Sequence, residues 1–206
     1  MMSTVWDYYG LWWAVAIWVL LYGLFIFFIP FYKKSHIIPS SAYLAFIVAF
    51  AVEMYGLPFS MYMISWLFGF ILPVGVFWGH TLVLYIGDLG MYAGILLTLI
   101  GIFMIVFGWK DVYMHYWSKK KGEGSLVKEG IYAYVRHPQY TGLLLISLGM
   151  LVQWATIPLL FMWPVLAILY YRLAKKEELS MEEEFGQDYT DYKNKTYMFL
   201  PYRLRK

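Results

Sequence analysis

The 206-residue sequence contains no cysteine, and charged residues make up only 14% of it. Without cysteine the chain has no disulfide, no thiolate nucleophile and no cysteine-ligated metal site. The low charge, together with 62% hydrophobic residues, lies outside the usual composition of soluble globular domains. Several apolar stretches of about 20 residues are long enough to cross a bilayer as helices. We therefore expect an all-α, polytopic membrane protein that forms a single domain over residues 1–206.

Lysine and arginine are absent between Lys34 and Lys110, and this gap sets the predicted topology. Positively charged residues hold loops in the cytoplasm, so Lys34 and the cationic cluster that begins at Lys110 should lie on the same side. An even number of crossings must then separate them. Apolar runs place the crossings at residues 11–31, 42–67 and 91–113, followed by a tight helical hairpin over residues 141–173.

This arrangement predicts five crossings, with the N-terminus outside and the C-terminus in the cytoplasm. Residues 69–90 form an outer connection that either lies in the interface or re-enters the membrane. A charged amphipathic helix is predicted over residues 175–192, after the last crossing. Tryptophan and tyrosine near the ends of the apolar runs are typical of the interfacial belt and need no functional explanation.

Residues 126–142, LVKEGIYAYVRHPQYTG, are rich in groups that can bind a polar ligand at a membrane boundary. Pro138 disfavours helical conformation at His137 and suits the first turn of a helix, so a helix should begin here. Its free amides and positive dipole end, next to Arg136, would favour a carboxylate or phosphate. The alternative is that Arg136 and His137 only anchor a transmembrane helix at the interface.

The second distinctive segment, residues 175–192, has the sequence KKEELSMEEEFGQDYTDY. Spacings of four, four and three define an apolar stripe on one helical face. The stripe consists of Met181, Phe185, Tyr189 and Tyr192. Glu177 and Glu178 lie at the head of this stripe and should point toward the helix bundle. Glu183 and Glu184 should face water.

Together the two segments resemble the isoprenylcysteine carboxyl methyltransferase and phospholipid methyltransferase superfamily. One matching pattern is RHPxYxG, from Arg136 to Gly142, preceded by LVKEGIY; the other is the Glu177–Glu178 pair with the aromatic and glycine residues after it. The resemblance covers residues 126–201, which would form the cofactor-binding part of the domain. Residues 1–90 carry no matching motif.

The resemblance implies transfer of a methyl group from S-adenosylmethionine to a lipophilic acceptor that enters from the bilayer. The cofactor would lie in a cytoplasm-facing pocket that the C-terminal segment closes. Its carboxylate and ammonium call for cationic groups and a carboxylate, and its adenine for an apolar slot. The implied cofactor-binding residues are Leu126, Val127, Gly130, Tyr132, Arg136, His137, Pro138, Tyr140, Glu177 and Glu178. The catalytic candidates are Arg136, Glu177, Glu178 and Glu53.

Glu53 is a candidate because it falls inside the second apolar run, where an ionisable side chain is costly and often functional. A substrate or proton-handling role competes with that of a neutral, hydrogen-bonded structural glutamate. His80, Asp88 and His115 lack a second ligand at a metal-binding spacing, so no metal is expected. The expected partners are membrane lipids and a lipophilic substrate, with no nucleic acid.

Two other functional classes stay open at the level of sequence. Membrane sterol reductases that use NADPH also carry an RHPxYxG-like motif, although an Arg-rich segment and a Lys-Tyr-Gly run usually follow it there. This chain instead has Lys175, Lys176 and the glutamate pair before Phe185 and Gly186. A non-catalytic membrane partner could use the basic loop at residues 119–121 to bind anionic lipid. The identity of the methyl-accepting atom, O, N or S, is not encoded in either motif.

Overall fold

The computed structural model describes residues 89–117, 125–153 and 157–200, together with Ala16, Leu20, Met63 and residues 66–69. All regular secondary structure in these segments is helical, which confirms the predicted all-α class for the described residues. The predicted crossings at residues 11–31 and 42–67, including Glu53, lie almost entirely outside the described residues.

The first helix, α1, spans Leu89–Val112 and continues into a π-helical turn at Tyr113–Trp117. Within the described residues, Leu89–Tyr116 is the one helix long and apolar enough to cross a membrane. Its 28 residues correspond to about 42 Å at 1.5 Å per residue, more than a hydrocarbon core requires. The crossing predicted at residues 91–113 is therefore confirmed as a candidate span, whereas the count of five stays a prediction.

Two further helices occupy the region of the predicted hairpin. Helix α2 spans Pro138–Gln153 and begins at the proline, as expected, and helix α3 spans Ile157–Phe185. The two helices lie on either side of the interruption of the apolar run near residues 153–158, where the turn of the hairpin is expected. However, α3 does not end near residue 173, because the charged residues that follow extend the same helix by about three turns.

The prediction of one amphipathic helix over residues 175–192 is wrong. The chain breaks at Gly186, which has φ 55°, and a new helix, α4, covers Gln187–Lys195. Glycine adopts positive φ without the steric cost that a Cβ would add, so it permits the change of direction. The apolar stripe is consequently divided between two helices, and Tyr189 and Tyr192 on α4 are its buried members.

The chain divides into two compact units, Met1–Gly94 with Met150–Leu166 and Ile95–Gly149 with Ala167–Lys206. The second unit contains both distinctive segments, including RHPxYxG and the glutamate pair. Its core has an unusual composition for a membrane-associated fold, because many of its buried side chains are polar or tyrosine. The buried tyrosines are Tyr132, Tyr140, Tyr170, Tyr189 and Tyr192, and the buried polar residues include Thr98, His137, Gln139, Thr141, Ser147, Glu178 and Thr196.

Within this unit, glycines at the contact between helices α1 and α2 allow the two backbones to come close together. A Cβ on Gly142 would lie 2.5 Å from the carbonyl oxygen of Gly101, and a Cβ on Gly101 would lie 2.6 Å from that of Gly142. Two turns along α1, a Cβ on Gly108 would lie 2.9 Å from Pro138 Cγ. Small residues allow such close backbone contact between helices in membranes. The glycine of RHPxYxG thus fixes where α2 crosses α1.

Residues 196–199, here called the strap, run beside the segment that leads into α2. The amide of Arg136 donates to the Tyr197 carbonyl at 2.8 Å, and that of His137 donates to the Met198 carbonyl at 3.1 Å. Val135 and Tyr197 form a parallel bridge. The Thr141 hydroxyl donates to the Phe199 carbonyl at 2.9 Å. The chain's C-terminal part is thereby joined to the start of α2.

Candidate active site

His137 lies between the two glutamates of the second segment. Its Nδ1 is 3.4 Å from Glu177 Oε2, and its Nε2 is 3.6 Å from Glu178 Oε1. Both glutamates are on α3 and His137 directly precedes α2, so the two helices bring residues about 40 positions apart into one cluster. The structure therefore places the two sequence motifs together.

Arg136 binds the more deeply buried of these glutamates. Its Nε donates to Glu178 Oε1 at 2.7 Å, and the side chains of Arg136 and Glu178 are 8% and 1% exposed. Nη1 of Arg136 donates to the carbonyl of Lys193 at 3.0 Å and also to the carbonyl of Thr196. Arg136 thus joins α3 to the C-terminal end of α4 and to the first residue of the strap.

The charges in this cluster stabilise one another. Burial alone would raise the pKa of Glu178, but hydrogen bonds and charge from His137 and Arg136 lower it to about 2. Burial alone would lower the pKa of His137, yet the two carboxylates together raise it above its ordinary value. The geometry therefore favours an ionised Glu178 beside a protonated His137. Buried charges persist when such pairing replaces their hydration.

Three aromatic rings extend the cluster along α2 and α3. Tyr140 stacks on His137 with ring centres 5.6 Å apart, and on Tyr170 at 5.3 Å. The Tyr140 hydroxyl donates to Glu177 Oε1. Glu177 keeps 18% of its side chain exposed, so it is the most accessible carboxylate in direct contact with His137. Tyr140 and Tyr170 are each 2% exposed, so the group here that a cationic ligand can reach is the Glu177 carboxylate.

Two lysines complete the charged surroundings of Glu178. Lys193 Nζ lies 3.3 Å from Glu178 Oε2 and 2.6 Å from Glu182 Oε1, whereas Lys175 Nζ lies 3.7 Å from Glu178 Oε2. The Lys175 side chain is 47% exposed. The hydrogen bond to Glu182 is the main cause that raises the pKa of Lys193. Lys175, which is more exposed and more distant from its carboxylate partner, is therefore the more available of the two for an anionic part of a ligand.

The remaining predicted site residues have different surroundings. Tyr132 is buried, and its hydroxyl pairs with Gln139 while its carbonyl accepts from the Tyr192 hydroxyl at 2.7 Å. Gly130 has φ 61°, and a Cβ there would lie 2.6 Å from Asp111 Oδ2, so both conformation and space favour glycine. Pro138 is buried at the start of α2.

Leu126 and Val127 are half-buried in the segment without regular secondary structure that leads to Gly130. Of the four catalytic candidates, Arg136, Glu177 and Glu178 are brought together. The fourth, Glu53, is outside the described residues. The cofactor-binding roles of Leu126 and Val127 stay predictions.

Sequence reasoning did not identify Tyr170, Lys193, Thr196 or the strap. Tyr170 is seven residues before Glu177 on α3, which places both on one helical face, so this spacing was a usable signal. Lys193 and the strap carry no comparable signal, because their approach to Glu178 and Arg136 depends on the turn at Gly186.

The cluster fits S-adenosylmethionine in the signs of its charges. The cofactor's ammonium and sulfonium call for a carboxylate, which Glu177 supplies, and the buried Tyr140 hydroxyl positions that carboxylate. Its carboxylate calls for a cation, which Lys175 or Lys193 supplies. Within the described residues, two buried atoms of the cluster make no hydrogen bond of good geometry: His137 Nε2, which is 3.6 Å from Glu178 Oε1, and Glu178 Oε2, which is 3.3 Å from Lys193 Nζ. A bound polar ligand or an ordered water would complete their hydrogen bonding.

The chain also resembles known proteins over this region. Residues 84–188 match the phospholipid methyltransferase family. The protein-S-isoprenylcysteine O-methyltransferase of Mus musculus is 31% identical over 93 residues, covering 41% of this chain and 30% of that protein. The enzyme of the same name from Schizosaccharomyces pombe is 36% identical over 86 residues, covering 41% and 36% respectively.

A relative of the same name from Xenopus laevis is 30% identical over 121 residues, which cover 52% of this chain and 41% of that protein. The chain thus spans less than half the length of these curated relatives. The three relatives align with between 41% and 52% of this chain. The family match includes RHPxYxG, α2 and the glutamate pair.

Proposed function

The chain belongs to the phospholipid methyltransferase family, and we propose that it transfers a methyl group from S-adenosylmethionine to a lipophilic acceptor. The observation that carries the proposal is the contact of His137 with both Glu177 and Glu178, which unites the two family segments in one polar cluster. No comparable observation supports the NADPH-dependent reductase that the sequence left open.

In this proposal Glu177, backed by Tyr140 and Tyr170, holds the cationic part of the cofactor. Lys175 or Lys193 holds its carboxylate. Bound S-adenosylmethionine would supply a methyl group from its sulfonium, leaving as the neutral thioether S-adenosylhomocysteine once the acceptor's nucleophilic atom takes the methyl. The protein's contribution would be positioning in a site with little water, which can lower a barrier by about 7–11 kcal/mol when the geometry is good.

The acceptor in this proposal is a small lipophilic or lipid-linked molecule that reaches the site from the bilayer. Large apolar side chains line the exposed surface of α1 beside the site, including Leu99, Phe103 and Val106. A carboxylate acceptor would need no general base, whereas an amine or thiol would have to lose a proton. Within the charged cluster, Glu177 is the partly exposed carboxylate that could take one.

Calorimetry on the detergent-purified protein with S-adenosylmethionine, S-adenosylhomocysteine and NADPH tests the cofactor. We expect both adenosyl compounds to bind, and binding of NADPH alone would overturn the proposal. Glu177→Gln should weaken S-adenosylmethionine binding at least about tenfold, because a charge-assisted contact contributes about 1.5–3 kcal/mol. Glu183→Gln, an exposed neighbour on the same helix, is the matched control and should bind normally.

The acceptor can be sought in the same preparation with a methyl-labelled donor. Prenylated cysteine carboxylates and phosphatidylethanolamine would be offered separately in lipid nanodiscs, and the labelled product would be identified by mass spectrometry. Labelling of neither, with intact cofactor binding, would point to another lipophilic acceptor. Labelling that occurs equally with Glu177→Gln would contradict the assigned site.

A further inference from the structure

Arg136 is the permanently charged residue of RHPxYxG, but its Nε and Nη1 donors are directed toward the protein itself. Nε binds Glu178, and Nη1 binds the carbonyls of Lys193 and Thr196. With 8% of its side chain exposed, the guanidinium lies inside the junction of α3, α4 and the strap. Nε and Nη1 of Arg136 are therefore already engaged and are not available to an anionic ligand.

A switch of Arg136 to a ligand carboxylate would be unfavourable. Glu178 is 1% exposed, and Arg136 provides its shortest hydrogen bond. The carbonyls of Lys193 and Thr196 would also lose the same donor. A buried carboxylate and buried carbonyls that lose their donors are left without either hydration or a hydrogen bond. The free-energy cost of this exceeds the stabilisation from one new ion pair.

The strap in turn contacts the residue at the centre of the charged cluster. The Met198 carbonyl accepts from the His137 amide at 3.1 Å, and the Phe199 ring lies edge-on to the His137 ring at 6.2 Å. The Thr141 hydroxyl holds the Phe199 carbonyl one turn along α2. The position of the His137 ring, between Glu177 and Glu178, is therefore linked to the strap.

We infer that Arg136 is a positioning residue, which fastens the strap through Glu178 and the Lys193 and Thr196 carbonyls and does not itself contact the cofactor. Loss of Arg136 loosens the strap, lets His137 move, and so weakens cofactor binding indirectly. This inference rests on the proposed function where it concerns the cofactor. The fastening of the strap by Arg136 stands on the hydrogen bonds alone.

Opening of the strap can be measured without any ligand. Because the natural chain has no cysteine, one introduced cysteine is the single site that a maleimide labels. A single Tyr197→Cys variant reports strap opening through its rate of maleimide labelling. Arg136→Lys keeps the charge but cannot reach Glu178 and two carbonyls with one ammonium, so labelling should accelerate about tenfold or more. Arg172→Lys, an exposed arginine on α3, is the matched control and should leave the rate unchanged. An unchanged rate in Arg136→Lys would overturn the inference.

Measurements of cofactor affinity distinguish a positioning role of Arg136 from its direct contact with the cofactor. S-adenosylmethionine and its decarboxylated analogue differ only in the carboxylate, so they form a thermodynamic cycle with Arg136→Lys. Positioning predicts that both ligands lose affinity by the same factor, about tenfold. A loss for S-adenosylmethionine alone would assign the carboxylate to Arg136 and overturn the inference. If the wild-type protein binds neither compound, the proposed function fails, while the labelling experiment still decides the role of the strap.

A disulfide that holds the strap in place tests whether the affinity lost in Arg136→Lys can be restored. Val135 and Tyr197 are bridge partners, and paired residues on neighbouring extended segments lie about 5 Å apart, a distance that a disulfide spans. In Arg136→Lys that also carries Val135→Cys and Tyr197→Cys, oxidation should restore S-adenosylmethionine affinity to that of the double-cysteine protein with Arg136. Reduction should abolish the recovery. A disulfide that forms without restoring affinity would contradict positioning through the strap.

Discussion

At the residue scale, the central feature is a nearly balanced group of buried charges at the start of α2. Arg136 and a protonated His137 face Glu177 and Glu178, so the four side chains carry equal positive and negative charge. Removal of any one leaves an excess charge in a site with little water, and the cost is greatest for Glu178, the least exposed. The cluster should therefore be sensitive to pH as well as to substitution.

Stability should be highest in mildly acidic solution. The raised pKa of His137 contributes stability that is complete below its unfolded pKa of about 6.5 and is lost as the pH rises through the folded pKa. The lowered pKa of Glu178 contributes stability that is complete above about 4.5 and is lost as the pH falls toward about 2. Thermal unfolding of the purified protein should thus show a maximum between about pH 4.5 and 6.5, with the melting temperature falling on the alkaline side.

His137→Gln identifies the residue responsible for the alkaline decline. It should reduce the free energy of unfolding by about 1.5–3 kcal/mol at pH 6 and by clearly less at pH 9, because only a protonated imidazole pairs with both carboxylates. His115→Gln is the control, since His115 is exposed and its Nδ1 contacts only a backbone carbonyl, that of Asp111. A destabilisation by His137→Gln that does not change with pH would refute the ion-pair interpretation.

The sequence predicted part of this cluster and missed the rest for a physical reason. Helical spacing separated the inward glutamates, Glu177 and Glu178, from the exposed Glu183 and Glu184, and the structure confirms both assignments. Arg136 and His137 were also identified as site residues. Their contacts with the carbonyls of Lys193 and Thr196 and with the strap could not be predicted, because local periodicity carries no information on which distant carbonyl or ring will pack beside a side chain.

At the element scale, helices were predicted best where the apolar signal is strong. The start of α2 at Pro138 and the break before α3 followed from proline chemistry and the interrupted apolar run. The end of α3 was not predicted, because the charged residues after residue 173 have high helix propensity and continue the helix to Phe185. The turn at Gly186 was missed because a single glycine inside a periodic segment is compatible with either a continued or a broken helix.

The crossing of α1 and α2 depends on Gly142. A Cβ there would lie 2.5 Å from the Gly101 carbonyl oxygen and 2.6 Å from Ile105 Cγ1, so Gly142→Ala must push the helices apart. We expect a net loss of about 1–2 kcal/mol, since overpacking costs about 1–3 kcal/mol and alanine returns at most about 1 kcal/mol in helix propensity. Leu99→Ala, on an exposed position of α1, removes more atoms yet should change the melting temperature little. If the two variants melt alike, the glycine contact does not set the crossing.

At the scale of the whole molecule, the proposed function assigns different tasks to the charged cluster and the apolar span. The cluster lies in the unit formed by Ile95–Gly149 and Ala167–Lys206, and its Glu178 faces Lys175 and Lys193. A charged cofactor would reach it from water, whereas a lipophilic acceptor would arrive through the bilayer. The cofactor's route requires that the end of α1 near Tyr116 face the cytoplasm, which makes membrane orientation a premise on which the proposed function depends.

Orientation can be tested with single-cysteine variants, because no natural cysteine interferes. Ser125→Cys lies just beyond the span Leu89–Tyr116, where the Ser125 amide donates to the His115 carbonyl at 3.1 Å, and Asp88→Cys directly precedes the span. The distribution of lysine and arginine predicts that an impermeant maleimide labels Asp88→Cys in intact cells and Ser125→Cys only after permeabilisation. Asp188→Cys, on α4 and 80% exposed, should behave like Ser125→Cys. Labelling of Ser125→Cys and Asp188→Cys in intact cells would place the charged cluster outside, away from the cytosolic cofactor, and would refute the topology.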